Sequence, residues 1–92
     1  MGKFRVKRGI PLEYDLQGYV YFTSRRYREL PLEKRQKIDE LCCRAGKTYA
    51  EALKEFVTTN KGAAEICEKY FISQSTLERM VKQYYLAFAE SL

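Results

Sequence analysis

The chain has 92 residues, so a single core is expected, and a chain this short buries only about 60–65% of its unfolded surface, too little to enclose a deep substrate cavity. Its 46% hydrophobic and 14% aromatic content is too apolar for disorder, and the absence of histidine removes Ser-His and Cys-His nucleophile pairs and every histidine-bearing metal site. The net charge of +5 is concentrated in residues 1–28, where Lys3, Arg5, Lys7, Arg8, Arg25, Arg26 and Arg28 face only Glu13 and Asp15, a balance compatible with a polyanionic partner. A non-enzymatic protein with no cofactor, metal or small-molecule substrate is expected.

Residues 1–11 alternate basic and apolar side chains with no apolar run of seven, so they read as neither a secretory leader nor a membrane span, and Met1-Gly2 lacks the Ser or Thr that a myristoylation motif wants at Val6. A soluble, cytoplasmic protein is expected. Lys3 to Lys7 alternates polar and apolar, Gly9-Ile10-Pro11 interrupts, and Tyr19 to Thr23 is a run of strong β-formers. Residues 1–30 therefore read as a basic arm or short β-hairpin, and residues 31–92 as a helical bundle of about four helices.

Pro31 suits a helix start, and Ile38, Leu41, Cys42 and Ala45 recur at i, i+3, i+4 and i+7 before Gly46, which predicts a helix over 32–45. Three cysteines, Cys42, Cys43 and Cys67, are an odd number and fit a reducing compartment and small buried apolar groups better than a disulfide framework. Thr48 and Glu51 match a capping box, and Tyr49, Leu53, Phe56 and Val57 carry a second helix to about Thr58. Asn60 can cap a third helix bearing Ala63, Ala64, Ile66, Cys67 and Tyr70 that ends near Phe71. Ser73 can cap a fourth, in which Leu77, Met80, Val81, Tyr84 and Phe88 keep helical spacing to about Glu90.

The last two helices carry the one constellation with functional content. Residues 63–82 resemble the twenty-residue bacterial and phage helix-turn-helix signature: its five apolar places hold Ile66, Tyr70, Ile72, Leu77 and Met80, and its small place holds Cys67. Its turn glycine is replaced by Phe71, so either the turn takes another geometry, one residue longer, or Phe71 stays in the helix and packs inward. The run Ile-Ser-Gln-Ser-Thr-Leu-Glu-Arg from Ile72 is similar to the opening of recognition helices in bacterial regulators and recombinases. The resemblance implies sequence-specific double-stranded DNA binding by a small transcriptional regulator of phage or mobile-element type. It assigns base reading to Gln74, Ser75, Glu78 and Arg79, and a phosphate contact to Lys61. By residue type, Ser73, Thr76 and Lys82 suit phosphates, and Arg25, Arg26 and Arg28 suit a backbone or minor groove.

Each feature has a plainer reading. Glu78 and Lys82 form an i, i+4 pair worth about 0.2–0.5 kcal/mol on a wet helix face, and Ser73 is useful as a cap alone. Leu77, Val81, Tyr84 and Phe88 alternate by four and three, which suits a self-associating seam and a homodimer, or a tail folded back over the first helix, the reading that so small a domain favours. The rival function is a protein-interaction module that docks through the Tyr-rich C-terminal helix or the N-terminal β edge.

Overall fold

The computed structural model describes Lys7 and residues 9–92, which form five α-helices and, among the described residues, no strand. They are α1 (Tyr14–Arg25), α2 (Leu32–Gly46), α3 (Ala50–Thr58), α4 (Ala63–Tyr70) and α5 (Gln74–Glu90), with 3-10 turns at Tyr27–Glu29 and Lys47–Tyr49. Helix α5 is the hub and packs on each of the other four. Its buried residues Leu77, Met80, Val81, Tyr84, Tyr85 and Phe88 meet Ile38, Leu41 and Cys42 of α2, Ala52, Leu53 and Val57 of α3, Ile66 of α4 and Val20 of α1 in one core. No helix among the described residues is long and apolar enough to cross a membrane.

The expected β element is overturned where it can be seen. Residues 19–23 lie inside α1; the proposed first strand, Lys3 to Lys7, lies outside the described residues except for Lys7. The physical reason is tertiary: a helix places Gln17, Val20 and Ser24 on one buried stripe, and this burial outweighs the weaker β preference of Tyr, Val and Thr. Tyr19 meets Phe88 edge-on at 6.1 Å, and Phe88 in turn meets Tyr84 at 5.8 Å. The Ser24 and Tyr84 hydroxyls share a buried hydrogen bond of 2.6 Å, which satisfies both polar groups at the α1–α5 contact.

Gln17 is fully buried and ties down the chain that precedes α1. Its Oε1 accepts from the Lys7 amide at 2.8 Å, and its Nε2 donates to the carbonyls of Lys7, Ile10 and Leu12 at 3.3, 3.1 and 3.1 Å. This staple lets Ile10 enter the core.

At the other corner, Lys54 of α3 bonds Asp39 of α2 at 2.8 Å and lies over the Tyr27 ring at 4.6 Å, while the Tyr27 hydroxyl donates to Asp39 at 2.8 Å. Burial pushes the Asp39 carboxyl up, but the hydrogen bonds from Lys54 and Tyr27 outweigh it and hold the group below its ordinary value.

Three smaller expectations also change. The capping box at Thr48 and Glu51 does not form; Lys47–Tyr49 is a 3-10 turn and α3 begins at Ala50 without a side-chain cap. Gly62, not Asn60, precedes α4. Cys43 is exposed, whereas Cys42 is buried, and burial pushes its thiol up to about 12.

The α2–α3 corner is tight because a Cβ on Gly46 would sit 3.4 Å from Leu53. Gly46 itself stays helical, so the unusual backbone falls on Lys47, at φ 51° and ψ −118°. Such a conformation costs a non-glycine residue on the order of 1–3 kcal/mol.

Of the two readings of Leu77, Val81, Tyr84 and Phe88, the folded-back tail is the one seen: all four are buried within the chain's own core, where α5 packs on α2.

Candidate nucleic-acid interface

Helix α4 ends and α5 begins within three residues, Phe71, Ile72 and Ser73. The amides of Phe71 and Ile72 both donate to the Cys67 carbonyl, the latter at 3.1 Å, which is the bonding of a helix C-terminus closed by a left-handed residue. Phe71 is that residue, at φ 56° and ψ 47°. Both expected escapes from the missing glycine are therefore wrong: the turn is not longer, and Phe71 does not pack inward, being 93% exposed. The half-buried Ile72 packs on the core and holds the turn there.

Ser73 caps α5 as expected. Its Oγ accepts from the Thr76 amide at 3.1 Å and donates to Thr76 Oγ1 at 2.8 Å. At 100° per residue, Gln74, Glu78, Lys82, Ser75 and Arg79 share an arc of roughly 140° on α5. All five are exposed, opposite the arc that carries Leu77, Met80 and Tyr84 into the core. Within this set, Gln74 Nε2 approaches Glu78 Oε2 at 3.4 Å. The face is polar, held by a rigid core and open to solvent.

A cavity of about 630 Å³ runs along one side of this face, between α5 (Thr76, Arg79, Gln83) and the end of α2 (Arg44) with the α2–α3 connection (Lys47, Thr48). On the other side lies one of about 660 Å³, lined by Ser75, Glu78, Arg79 and Lys82 of α5 with Lys7 and Phe56. Lys7 is half-buried with its ammonium 5.8 Å from the Phe56 ring; burial lowers its pKa and the Glu78 charge partly restores it. Lys7, Arg44, Lys47 and Thr48 were not among the expected site residues. Arg44 and Lys47 carried a faint signal, two cations flanking Gly46, but only the fold brings them beside Arg79.

The expected phosphate contacts fare unequally. Arg25 and Lys61 line a common cavity of about 240 Å³ with Lys7 and Tyr85. Lys61 is already ion-paired to Glu55, as is Lys69 at 2.9 Å, and the Tyr70 hydroxyl donates to Glu55 at 2.6 Å. Those donors, Lys61 foremost, hold the Glu55 carboxyl down to about 2. The cluster fixes α4 against α3. Arg25 lies over the Tyr21 ring at 5.1 Å and donates to its hydroxyl at 2.6 Å; Arg26 pairs with Glu29 at 3.1 Å, and Arg28 is exposed on the 3-10 turn. Neither Arg26 nor Arg28 lines the cavities beside α5.

No group of three or more potential metal ligands occurs among the described residues. No protein-family model, curated protein or solved structure matches this chain.

Proposed function

We propose that this chain binds double-stranded DNA in a sequence-specific manner, inserting α5 of a helix-turn-helix into the major groove as a small transcriptional regulator. The observation that carries the reading is the solvent-open polar face of Gln74, Ser75, Glu78, Arg79 and Lys82 on a helix whose opposite face is locked in the core. Close docking to base edges needs a rigid helix with short polar groups at its N-terminal end and longer donors one turn on, and this face supplies both. The short left-handed turn at Phe71 supports it, because it sets α5 immediately after α4 with Ser73 free to cap.

In this reading Arg79 gives a bidentate contact to guanine, Gln74 reads adenine, Glu78 accepts from cytosine and Lys82 meets a phosphate. Ser73 reaches a phosphate only by sharing a hydroxyl that already caps α5. The docking-module rival is the less supported, because Tyr84 and Tyr85 are buried and residues 19–23 are helical.

Duplex binding at two salt concentrations is the test. A protein that neutralises about six phosphates loses roughly a thousandfold in affinity between about 50 and 200 mM salt, and an apolar docking module does not. Arg79→Ala is expected to cost about 1–3 kcal/mol on the preferred duplex with an unchanged melting temperature, since Arg79 is exposed. Salt-independent binding, or equal losses on preferred and random duplexes, would remove the selective role.

A further inference from the structure

Of the two cavities that border the exposed face of α5, only one holds cations without an acid. Arg44 from the last turn of α2, Lys47 from the α2–α3 connection and Arg79 from α5 line it, together with the hydroxyls of Thr48 and Thr76 and the amide of Gln83. No acidic side chain lines it, and no ion pair to any of these three cations occurs among the described residues. The opposite cavity, by contrast, includes Glu78 among its lysines.

We propose that the cleft between the α2–α3 connection and α5 is a phosphodiester-binding groove, in which Arg44, Lys47 and Arg79 seat one strand of a duplex while the adjoining face of α5 enters the major groove. The inference rests on the DNA-binding reading above and extends it to residues outside the α4–α5 hairpin. Three cations held on α2, on the turn that follows it and on α5 repel one another unless an anion sits among them, and hydroxyls at the same wall add neutral donors for phosphate oxygens. Arg44, Lys47 and Arg79 are all exposed. They therefore form an open trough that a strand can cross rather than an enclosed pocket for a free anion. Lys47 is held in a rare backbone conformation, φ 51° and ψ −118°, which persists only where surrounding packing over-determines it and which recurs at ligand clamps. Arg79 belongs to both the cleft and the probing face, so a strand in the cleft fixes the depth at which α5 meets the bases.

The experiment uses the full chain and labelled duplex DNA, titrated across salt for the wild type, for Arg44→Gln with Lys47→Gln, and for the charge-retaining pair Arg44→Lys with Lys47→Arg. Removing two phosphate contacts is expected to make the plot of log affinity against log salt shallower by about 1.8, and to weaken binding about sixtyfold at 0.1 M salt, equally on preferred and random duplexes. The charge-retaining pair should restore most of the slope, which separates loss of charge from loss of fold. An unchanged slope in the Gln pair overturns the groove and leaves the DNA-binding reading standing. If the wild type shows no salt-dependent duplex binding, the parent reading fails and the groove falls with it. A Gln pair that loses inorganic pyrophosphate binding but keeps the duplex slope assigns the cleft to a free phosphate ligand, and one that loses polyglutamate binding alone assigns it to an acidic protein; both outcomes overturn the proposal.

Discussion

Phe71 occupies the left-handed region with a side chain that buries almost nothing, so its backbone strain has no packing return. The strain costs about 1–2 kcal/mol for an L-residue, and a glycine there removes it while adding up to about 1 kcal/mol of unfolded-chain entropy. Phe71→Gly is thus expected to stabilise the chain by on the order of 0.5–1 kcal/mol, read as a higher denaturant midpoint at unchanged slope.

Glu55 gives a second residue-scale expectation. Its carboxyl is held down to about 2 from an ordinary 4.5 by Lys61, Tyr70 and Lys69, so its contribution is complete above pH 4.5 and is lost as pH falls through 2. Because Lys61 and Lys69 are substantially exposed, that contribution is about 1 kcal/mol rather than the full value of the shift. Glu55→Gln should lower stability by this amount at neutral pH and flatten the decline between pH 4.5 and 2 in acid titration of unfolding.

Among the elements, α5 divides into two jobs along its circumference, and substitutions should separate them. Leu77→Ala opens a cavity in the core and is expected to cost about 2–5 kcal/mol of folding stability in chemical denaturation, without altering association state in sedimentation, because Leu77 is buried in the chain's own core. Sequence periodicity located α2, α3, α4 and α5 well, since Ile38, Leu41 and Cys42, or Leu77, Met80 and Val81, leave a helical stripe that no strand can use. It missed α1, because Tyr19 to Thr23 is β-prone locally and its helical logic lies in Gln17 and Ser24, polar residues whose burial depends on partners sixty or ten residues away. Caps were legible at Ser73, where the hydroxyl reaches its own third amide, and misleading at Thr48 and Asn60, where the entry path of the chain overrides the local pattern. The polar face of α5 could be read from residue type and spacing; its two bordering clefts could not, because Arg44 and Lys7 reach it only through tertiary packing.

For the whole molecule, the fold splits the basic side chains described among the first 28 residues. Arg26 is paired, Arg25 is stacked on Tyr21, and Lys7 is carried to the flank of α5. What carries it there is Gln17, whose buried amide holds the backbone of Lys7, Ile10 and Leu12. Gln17→Ala leaves these groups to find solvent and frees Ile10 from the core, so it should cost about 2–3 kcal/mol of stability. Hydrogen exchange at the Lys7 amide should accelerate while the amides of α5 remain protected, because the loss is local to the segment before α1. Under the proposed function the same change weakens duplex binding through the displaced Lys7, and reduces its salt slope by up to about one unit. If affinity and slope stay fixed while exchange at Lys7 rises, the N-terminal segment serves only the core, and the DNA contacts are confined to α5 and the Arg44–Lys47 side.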